Sequence, residues 1–397
     1  MSRTGRIAHV PRPSRLIGSL AARLGPPAIA PTTVGQILDR YDLRPRGRPR
    51  NLPRGRRSRN VVVTTDDGVK VLKRYRPQWD PPTVGYGHSI LIRLEDLRFP
   101  APRLVRLPDG GTWTIVDGDI FALFDFLPGT VYSMSYLRRS DHRRLIETSA
   151  RTLAGFHRAL DGFVPRGTHH LGFVSATGPR ALDVAWYAAT VHELKERSHD
   201  LVDPDGAEQR RLADTAARAV GEIEELDAML AAARLPRLVI HGDYGLHNLI
   251  FQGLHLAVPV DLELARLDWR LNDLIHMFAG YLGDRADERD VRTMEVFARS
   301  YASEFPLTAE EERVLFEAWR LYTLQSAVRH WNSSFQTDHR TAQLASALRS
   351  IDRANWICRR PEVVRRLREA VERGGRSGRR SSPRSERSPT TAEPVDA

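Results

Sequence analysis

The sequence predicts an α+β chain of two lobes, a small β-rich lobe over residues 31–127 and a larger helical lobe over residues 128–373. Three observations carry this. Strand-like runs punctuated by Asp67-Gly68 and Asp117-Gly118, both hairpin signals, cluster before Gly129. Beyond Gly129 apolar residues recur at helical spacing. The 397 residues are 41% hydrophobic and 27% charged, an ordinary globular balance that excludes a wholly disordered, collagen-like or coiled-coil chain.

Residues 1–30 mix Arg, Pro, Ser and Ala and are expected to form a mobile extension. Their Arg-rich, acid-poor makeup also resembles a transit peptide. A short helix is predicted from Val34 to Tyr41, capped by Thr32 or Thr33. Arg44 to Arg59 is expected to lack regular structure. Residues 60–65 and 69–75 read as the two strands of a hairpin. A helix over Gly85 to Leu97 follows, closed by Pro100 and Pro102. Residues 112–116 and 119–126 read as a second hairpin, and Leu127-Pro128-Gly129 breaks the chain. Helices are then expected over 145–160, 181–196 and 207–233, with short strands at 238–241, 249–251 and 257–260. Thr308 and Glu311 form a capping box opening a helix whose inner face carries Leu315, Ala318, Tyr322, Val328 and Trp331. The Ser/Arg/Pro/Gly stretch 374–397 is expected to be a disordered tail.

The net charge is +11, yet residues 1–59 carry +12 and residues 364–397 carry +4, which leaves −5 for the body between them. A nucleic-acid-binding domain places its basic stripe on the folded surface, so no specific nucleic-acid partner is expected. With one cysteine, Cys358, neither an intramolecular disulfide nor a paired-cysteine zinc site can form. No apolar run approaches the ~20 residues of a membrane span. A cytoplasmic protein, monomeric or homodimeric, is the expectation. Lysine is confined to Lys70, Lys73 and Lys195 against 57 arginines. A lysine kept against that bias marks a place for a compact ammonium rather than a planar fork. Lys73 is read in this way, and Lys70 as solvent-facing.

The densest polar constellation is His241-Gly242-Asp243-Tyr244-Gly245-Leu246-His247-Asn248, followed by Asp261 in Val260-Asp261-Leu262-Glu263. Carboxylates beside short apolar strands suit phosphoryl transfer, which needs positioning and charge neutralisation more than covalent chemistry. One carboxylate takes the proton of the attacking hydroxyl. A second carboxylate and an amide oxygen hold Mg²⁺, which keeps several waters and needs few protein ligands. An ammonium reaches the phosphates. Asp243, Asp261, Asn248 and Lys73 make up that set.

These motifs, with Val71-Leu72-Lys73-Arg74-Tyr75, Phe99-Pro100-Ala101-Pro102-Arg103, residues 123–129 and Leu153-Ala154-Gly155-Phe156-His157, occur in order over residues 33–355. In this the chain resembles the aminoglycoside phosphotransferase/choline kinase-like family, nearest its spore-coat and homoserine-kinase-like branch. The resemblance implies a bilobal, protein-kinase-like fold with a nucleotide-binding N-lobe and the catalytic loop on the helical C-lobe. It implies Asp243 as catalytic base, Asn248 and Asp261 as Mg²⁺ ligands, and Lys73 on the phosphates of ATP. Gly55 and Ser58 would lie in the phosphate-covering loop. Asp125, Phe126 and Leu127 would turn backbone groups to the adenine edge, and Asp273 would brace the catalytic loop. The implied reaction is ATP-dependent phosphorylation of a small-molecule hydroxyl acceptor: an amino alcohol, an aminoglycoside or amino sugar, or a hydroxyl amino acid.

The sequence departs from the family pattern in places. Related chains carry a Glu on the inserted helix to pair with the strand lysine, where this one reads Tyr86-Gly87-His88. Lys73 is therefore expected to pair with Asp261. Gly245 replaces the usual His, and His247 sits just before Asn248. His157 is read as a satisfied core histidine and His241 as a brace, with contact to a cationic acceptor the less favoured reading of Asp268. Rival readings are a weak pseudokinase or nucleotide-binding regulator, a protein Ser/Thr kinase, and a nucleic-acid binder acting through the basic ends.

Overall fold

The protein's structure, a computed structural model, describes residues 29–52, 59–77, 79–132, 143–169, 184–199, 204–282, 287–335 and 340–381. They divide into two compact units. The first comprises Met1–Thr130, Val164–His170 and Val258–Glu263, and the second Val131–Phe163, Leu171–Ala257 and Leu264–Ala397. The segment that carries Asp261 and Glu263 belongs with the β-rich unit. Its side chains Asp261 and Glu263 make their contacts there, on Lys73. The extension 1–28 and most of the tail lie outside the described residues. Among the described residues no helix is long and apolar enough to cross a membrane.

The first unit is built on β1 (Arg50–Asn51), β2 (Arg59–Thr65), β3 (Gly68–Arg74), β4 (Thr114–Val116) and β5 (Asp119–Asp125), in the antiparallel order β1-β2-β3-β5-β4. Both predicted hairpins form. Asp117 and Gly118 lie between the paired residues Val116 and Asp119 with φ of 51° and 81°. That is the left-handed pair a two-residue turn needs to follow strand twist. Alternation sends Val61, Val63 and Leu72 to one face. There they pack with Phe121, Leu123 and the apolar stripe Val34, Ile37 and Leu38 of helix α1 (Pro31–Arg40). Pro31 opens α1, and no side chain caps it; Thr32 and Thr33 fall inside the helix. The edge strand β1 lies within the stretch expected to be irregular. Helix α2 (Pro81–Asp96) starts a turn before the prediction because Asp80 caps it, accepting from Thr83 N at 3.0 Å.

Lys70 is a correction. It is buried, with Nζ 2.8 Å from both Asp67 Oδ2 and Asp125 Oδ1. The β3–β5 register sets Lys70 opposite Asp125, and a cross-strand charge pair holds the ammonium against the sheet.

The second unit is helical: α3 (Arg143–Ala159), α4 (Val184–His199), α5 (Pro204–Ala232), α6 (Leu271–Tyr281), α7 (Glu288–Glu304), α8 (Ala309–Ser334), α9 (Arg340–Cys358) and α10 (Pro361–Ser381). Strand β6 (Arg237–Ile240) pairs with β9 (Arg266–Trp269), and β7 (Leu249–Gln252) with β8 (Leu256–Pro259). The predicted α8 face is buried at Leu315, Ala318, Val328 and Trp331, while Tyr322 stays half-buried. The tail prediction is corrected at its start. Helix α10 runs on to Ser381, and a Cβ at Gly374 would come within contact distance of the Arg299 carbonyl on α7. Glycine there admits close helix approach, so the Gly-rich stretch packs instead of fraying.

A buried ion pair ties α8 to the turn before α6. Arg270 Nε and Nη2 each lie 2.6 Å from a Glu311 oxygen. Glu311 also closes the predicted capping box with Thr308. Removing one partner leaves a buried charge uncompensated, which costs about 3–5 kcal/mol. Glu311→Ala is therefore expected to lower unfolding free energy by about that amount in urea titration, and a loss under about 1 kcal/mol would contradict this role.

Candidate active site

The catalytic-loop segment begins where β6 ends. His241 is fully buried, and its backbone N–H donates to Asp273 Oδ2 at 2.7 Å. The Gly242 N–H donates to Asp273 Oδ1 at 2.8 Å. Asp273, in the first turn of α6, thus takes both loop amides, as the bracing role requires. Its remaining support is His157 Nε2 at 3.0 Å, whose Nδ1 lies 2.7 Å from the Tyr301 hydroxyl. Burial holds the His157 ring in its neutral form despite the acid. An ionised carboxylate only accepts, so Nε2 carries the ring proton and Nδ1 accepts from Tyr301. Burial would raise the pKa of Asp273, but the hydrogen bond from His157 and the loop amide of His241 hold it below the usual range. His157 is the satisfied core histidine the sequence indicated.

Gly242 has φ 80°, and a Cβ there would meet the Leu264 carbonyl and the Arg266 guanidinium. Only glycine fits this turn. The chain then presents Asp243. Its N–H donates to His241 Nδ1 at 3.3 Å, so His241 braces the loop from inside. Asn248 Nδ2 donates to both the Asp243 carbonyl and Asp243 Oδ2, each at 3.0 Å. Asn248 sits at the end of a single 3₁₀ turn, Leu246–Asn248, which returns it to Asp243. With Nδ2 so engaged, Oδ1 is the amide atom available to a cation. Tyr244 anchors the loop, its hydroxyl donating to the Ser149 carbonyl at 2.7 Å.

Two imidazoles flank the Asp243 carboxylate: His247 Nε2 at 3.6 Å from Oδ2 and His276 Nε2 at 3.3 Å from Oδ1. Burial would raise the Asp243 pKa, but the imidazoles of His247 and then His276 beside it bring it down to about 2. The carboxylate is therefore ionised at neutral pH. The Gly245 departure has a steric cause. A Cβ at 245 would lie 2.6 Å from the His247 ring, so the bare glycine lets that ring stand beside Asp243. His276 was missed in the sequence. The available signal was its place one turn after Asp273, on the same side of α6.

In the β-rich unit, Lys73 projects from the face of β3 opposite Leu72. Its Nζ donates to Asp261 Oδ1 at 3.0 Å, the expected pair. A second carboxylate joins it: Glu263 Oε1 lies 2.7 Å from Nζ, and Glu263 Oε2 lies 3.2 Å from Arg76 Nη2. Burial would lower the Lys73 pKa, but the charges of Asp261 and Glu263 outweigh it and hold the ammonium protonated. Glu263 thus supplies the carboxylate that Gly87 cannot. Glu95 instead pairs with Arg106, at 3.3 Å. Asp261 is in the left-handed region at φ 65°, a conformation Asp tolerates and bulkier residues do not.

The remaining predicted positions fare differently. The Asp125 N–H donates to the Arg103 carbonyl and the Phe126 N–H to the Val69 carbonyl, and the Asp125 carboxylate is on Lys70. Sheet continuation consumes these groups, so of the three only Leu127 keeps an N–H without a partner among the described residues. Gly55 and Ser58 lie outside the described residues. Asp268 is not a contact for a cationic acceptor: it is buried and paired with Arg266, with Oδ2 3.0 Å from Nη2. Oxygen donors of the kind Mg²⁺ prefers stand at Asn248 and Asp261. Among the described residues no group of three or more His, Cys, Asp or Glu is gathered as a metal cage.

Gly87 offers a test of the Lys73 pairing. A Cβ there would meet only the Leu262 carbonyl, at 3.9 Å, so a side chain fits. Glu263→Gln should destabilise the chain, and Gly87→Glu in that background should restore more stability than Gly87→Gln by about 1.5 kcal/mol, the worth of a charged hydrogen bond. The glutamine control carries the same gain in helix propensity. Equal thermal melts for the two double variants would show that position 87 does not face Lys73.

Comparison with known proteins agrees with this geometry. A homoserine kinase of Pseudomonas aeruginosa (strain LESB58) is 32% identical over 156 residues, 37% of this chain and 48% of that enzyme. The chain thus spans about half the length of the curated relative it matches. In fold it is similar to an aminoglycoside phosphotransferase from Alicyclobacillus acidocaldarius, with TM-score 0.59 at 16% identity, covering 89% of this chain and 99% of that one. It is also similar to a microcompartment-associated aminopropanol kinase, with TM-score 0.60 at 17% identity, covering 82% and 96%. The model of the phosphotransferase enzyme family matches residues 49–310, a span that holds Lys73, Asp243, Asn248 and Asp261, and the chain belongs to that family.

Proposed function

We propose that this chain transfers the γ-phosphoryl group of ATP, with Mg²⁺, to a hydroxyl of a small molecule. The carrying observation is Asp243: a carboxylate kept ionised by flanking imidazoles, on a loop whose amides are pinned by a buried acid. Asp243 takes the proton of the acceptor hydroxyl as it attacks. Its second oxygen is held by Asn248, which fixes the direction from which the hydroxyl must approach. Asn248 Oδ1 and the Asp261 carboxylate would hold Mg²⁺, which when bound neutralises charge on the phosphates. Lys73 serves the nucleotide phosphates and exchanges Asp261 for them, while Glu263 retains it from behind. The Leu127 N–H is the backbone donor for the adenine edge.

The names of similar proteins support a small hydroxyl acceptor: a homoserine kinase, an aminopropanol kinase and an aminoglycoside phosphotransferase. The regulator reading drew on the absent helix glutamate, for which Glu263 stands in, and on a phosphate loop with a single glycine, which lies outside the described residues. The protein-kinase reading is disfavoured by Gly245, which stands where those enzymes carry a lysine.

Asp243→Asn keeps shape and removes the base. Turnover is expected to fall by about 10²–10⁴-fold with little change in ATP affinity. Full activity in that variant would overturn the assignment. Asp243 is deprotonated above about pH 3, given its pKa of about 2. Its lowered pKa stabilises the fold above the ordinary carboxylate range, and that contribution is lost as pH falls from about 4 toward 2. A carbon-detected NMR titration should therefore show no Asp243 protonation at pH 4, and a midpoint above 4 would refute the imidazole effect.

A further inference from the structure

The accessible face of α8 carries Tyr322, Ser326 and Arg329, while Leu321, Thr323, Leu324, Gln325, Ala327 and Val328 are buried. The three sit at i, i+4 and i+7 and form one stripe. Its first member touches the site: the Tyr322 hydroxyl lies 2.9 Å from His276 Nδ1, and the far nitrogen of that ring is the one facing Asp243. Its last member is a cation. The Arg329 guanidinium carbon lies 5.7 Å from the centre of the Tyr322 ring. Nη1 donates to the Tyr187 hydroxyl and Nη2 to Ser326 Oγ, each at 2.8 Å. Two neutral oxygens thus fix the fork and use two of its five N–H donors. No carboxylate among the described residues pairs with it.

A half-buried guanidinium fixed by two neutral oxygens still presents N–H donors that an anion can meet. The stripe that runs from the base to Arg329 is His, Tyr, Ser and Arg, with no carboxylate. A polycationic acceptor would meet a like charge there, which selects against it. We propose that Arg329 binds the carboxylate of the acceptor, so that the substrate is a small hydroxy-carboxylate, such as a hydroxyl amino acid, and not an amino alcohol or aminoglycoside. This rests on the phosphotransferase reading for the role of Asp243. Arg329 acts in specificity: it contacts the acceptor away from the reacting hydroxyl.

The test uses two matched pairs that differ by one carboxylate, L-homoserine with 3-aminopropan-1-ol and L-serine with ethanolamine. Binding to the full chain is measured by calorimetry, and phosphoryl transfer from labelled ATP is followed in parallel. The parent chain should bind the carboxylate member of at least one pair tenfold or more tighter. Arg329→Gln should erase that ratio, Arg329→Lys should keep part of it, and Ser326→Ala, which frees the fork without removing it, should reduce it. Equal or undetectable binding of the carboxylate members, or a ratio that survives Arg329→Gln in protein with a parent-like melt, overturns the proposal. Preference without transfer to any member would retain the carboxylate site and reject the phosphotransferase reading. Transfer without preference would do the reverse.

Discussion

The buried carboxylate of Asp273 is the constraint on which the catalytic-loop geometry depends. Its two oxygens accept both amides that open the loop, and His157, itself set by Tyr301, closes its remaining demand. A charge so placed would be expensive if any of these donors were missing. The arrangement therefore admits one loop conformation. Because His241 is locked, its Nδ1 can receive the Asp243 amide. Because Asp243 is locked, Asn248 can bridge its carbonyl and carboxylate. Positioning of this kind is what phosphoryl transfer asks of a protein, since bond making and breaking need little covalent help.

The lysine side solves a different problem by substitution. A buried ammonium needs a carboxylate partner. Here the duties are divided between two residues of a single short segment. Glu263 is buried and also bound to Arg76, which makes it a permanent partner. Asp261 is more exposed and sits in left-handed backbone, which makes it the exchangeable one. With the partner on the Asp261–Glu263 segment, α2 is free to carry glycine at 87.

The sequence made the lobes, both hairpins, the capping box and the main polar constellation legible, because each rests on local chemistry. Asp-Gly turns, a Thr/Glu pair three residues apart and an Asp-to-Asn spacing act within a few residues. What escaped depends on contacts distant in the chain. Lys70 looked like a solvent lysine until register set it opposite Asp125. Asp268 looked available until β9 brought it beside Arg266. The Gly-rich start of the tail looked incapable of packing, because small residues signal disorder in isolation and close helix approach when a partner helix is present. Strand β9 is only four residues long, and helix α7 opens on a cap, Asp287, that the sequence reading passed over. His276 lacked any motif of its own.

The bare α-carbon of Gly245 has a consequence for how this sequence can change. The His247 ring occupies the volume that any side chain at 245 would enter, and that ring helps keep Asp243 ionised. Positions 245 and 247 therefore behave as one exchangeable unit. A histidine can stand at either place but not at both without swinging one ring away from the base. A side chain introduced at 245 therefore acts on Asp243 indirectly, by turning the His247 ring out of its place.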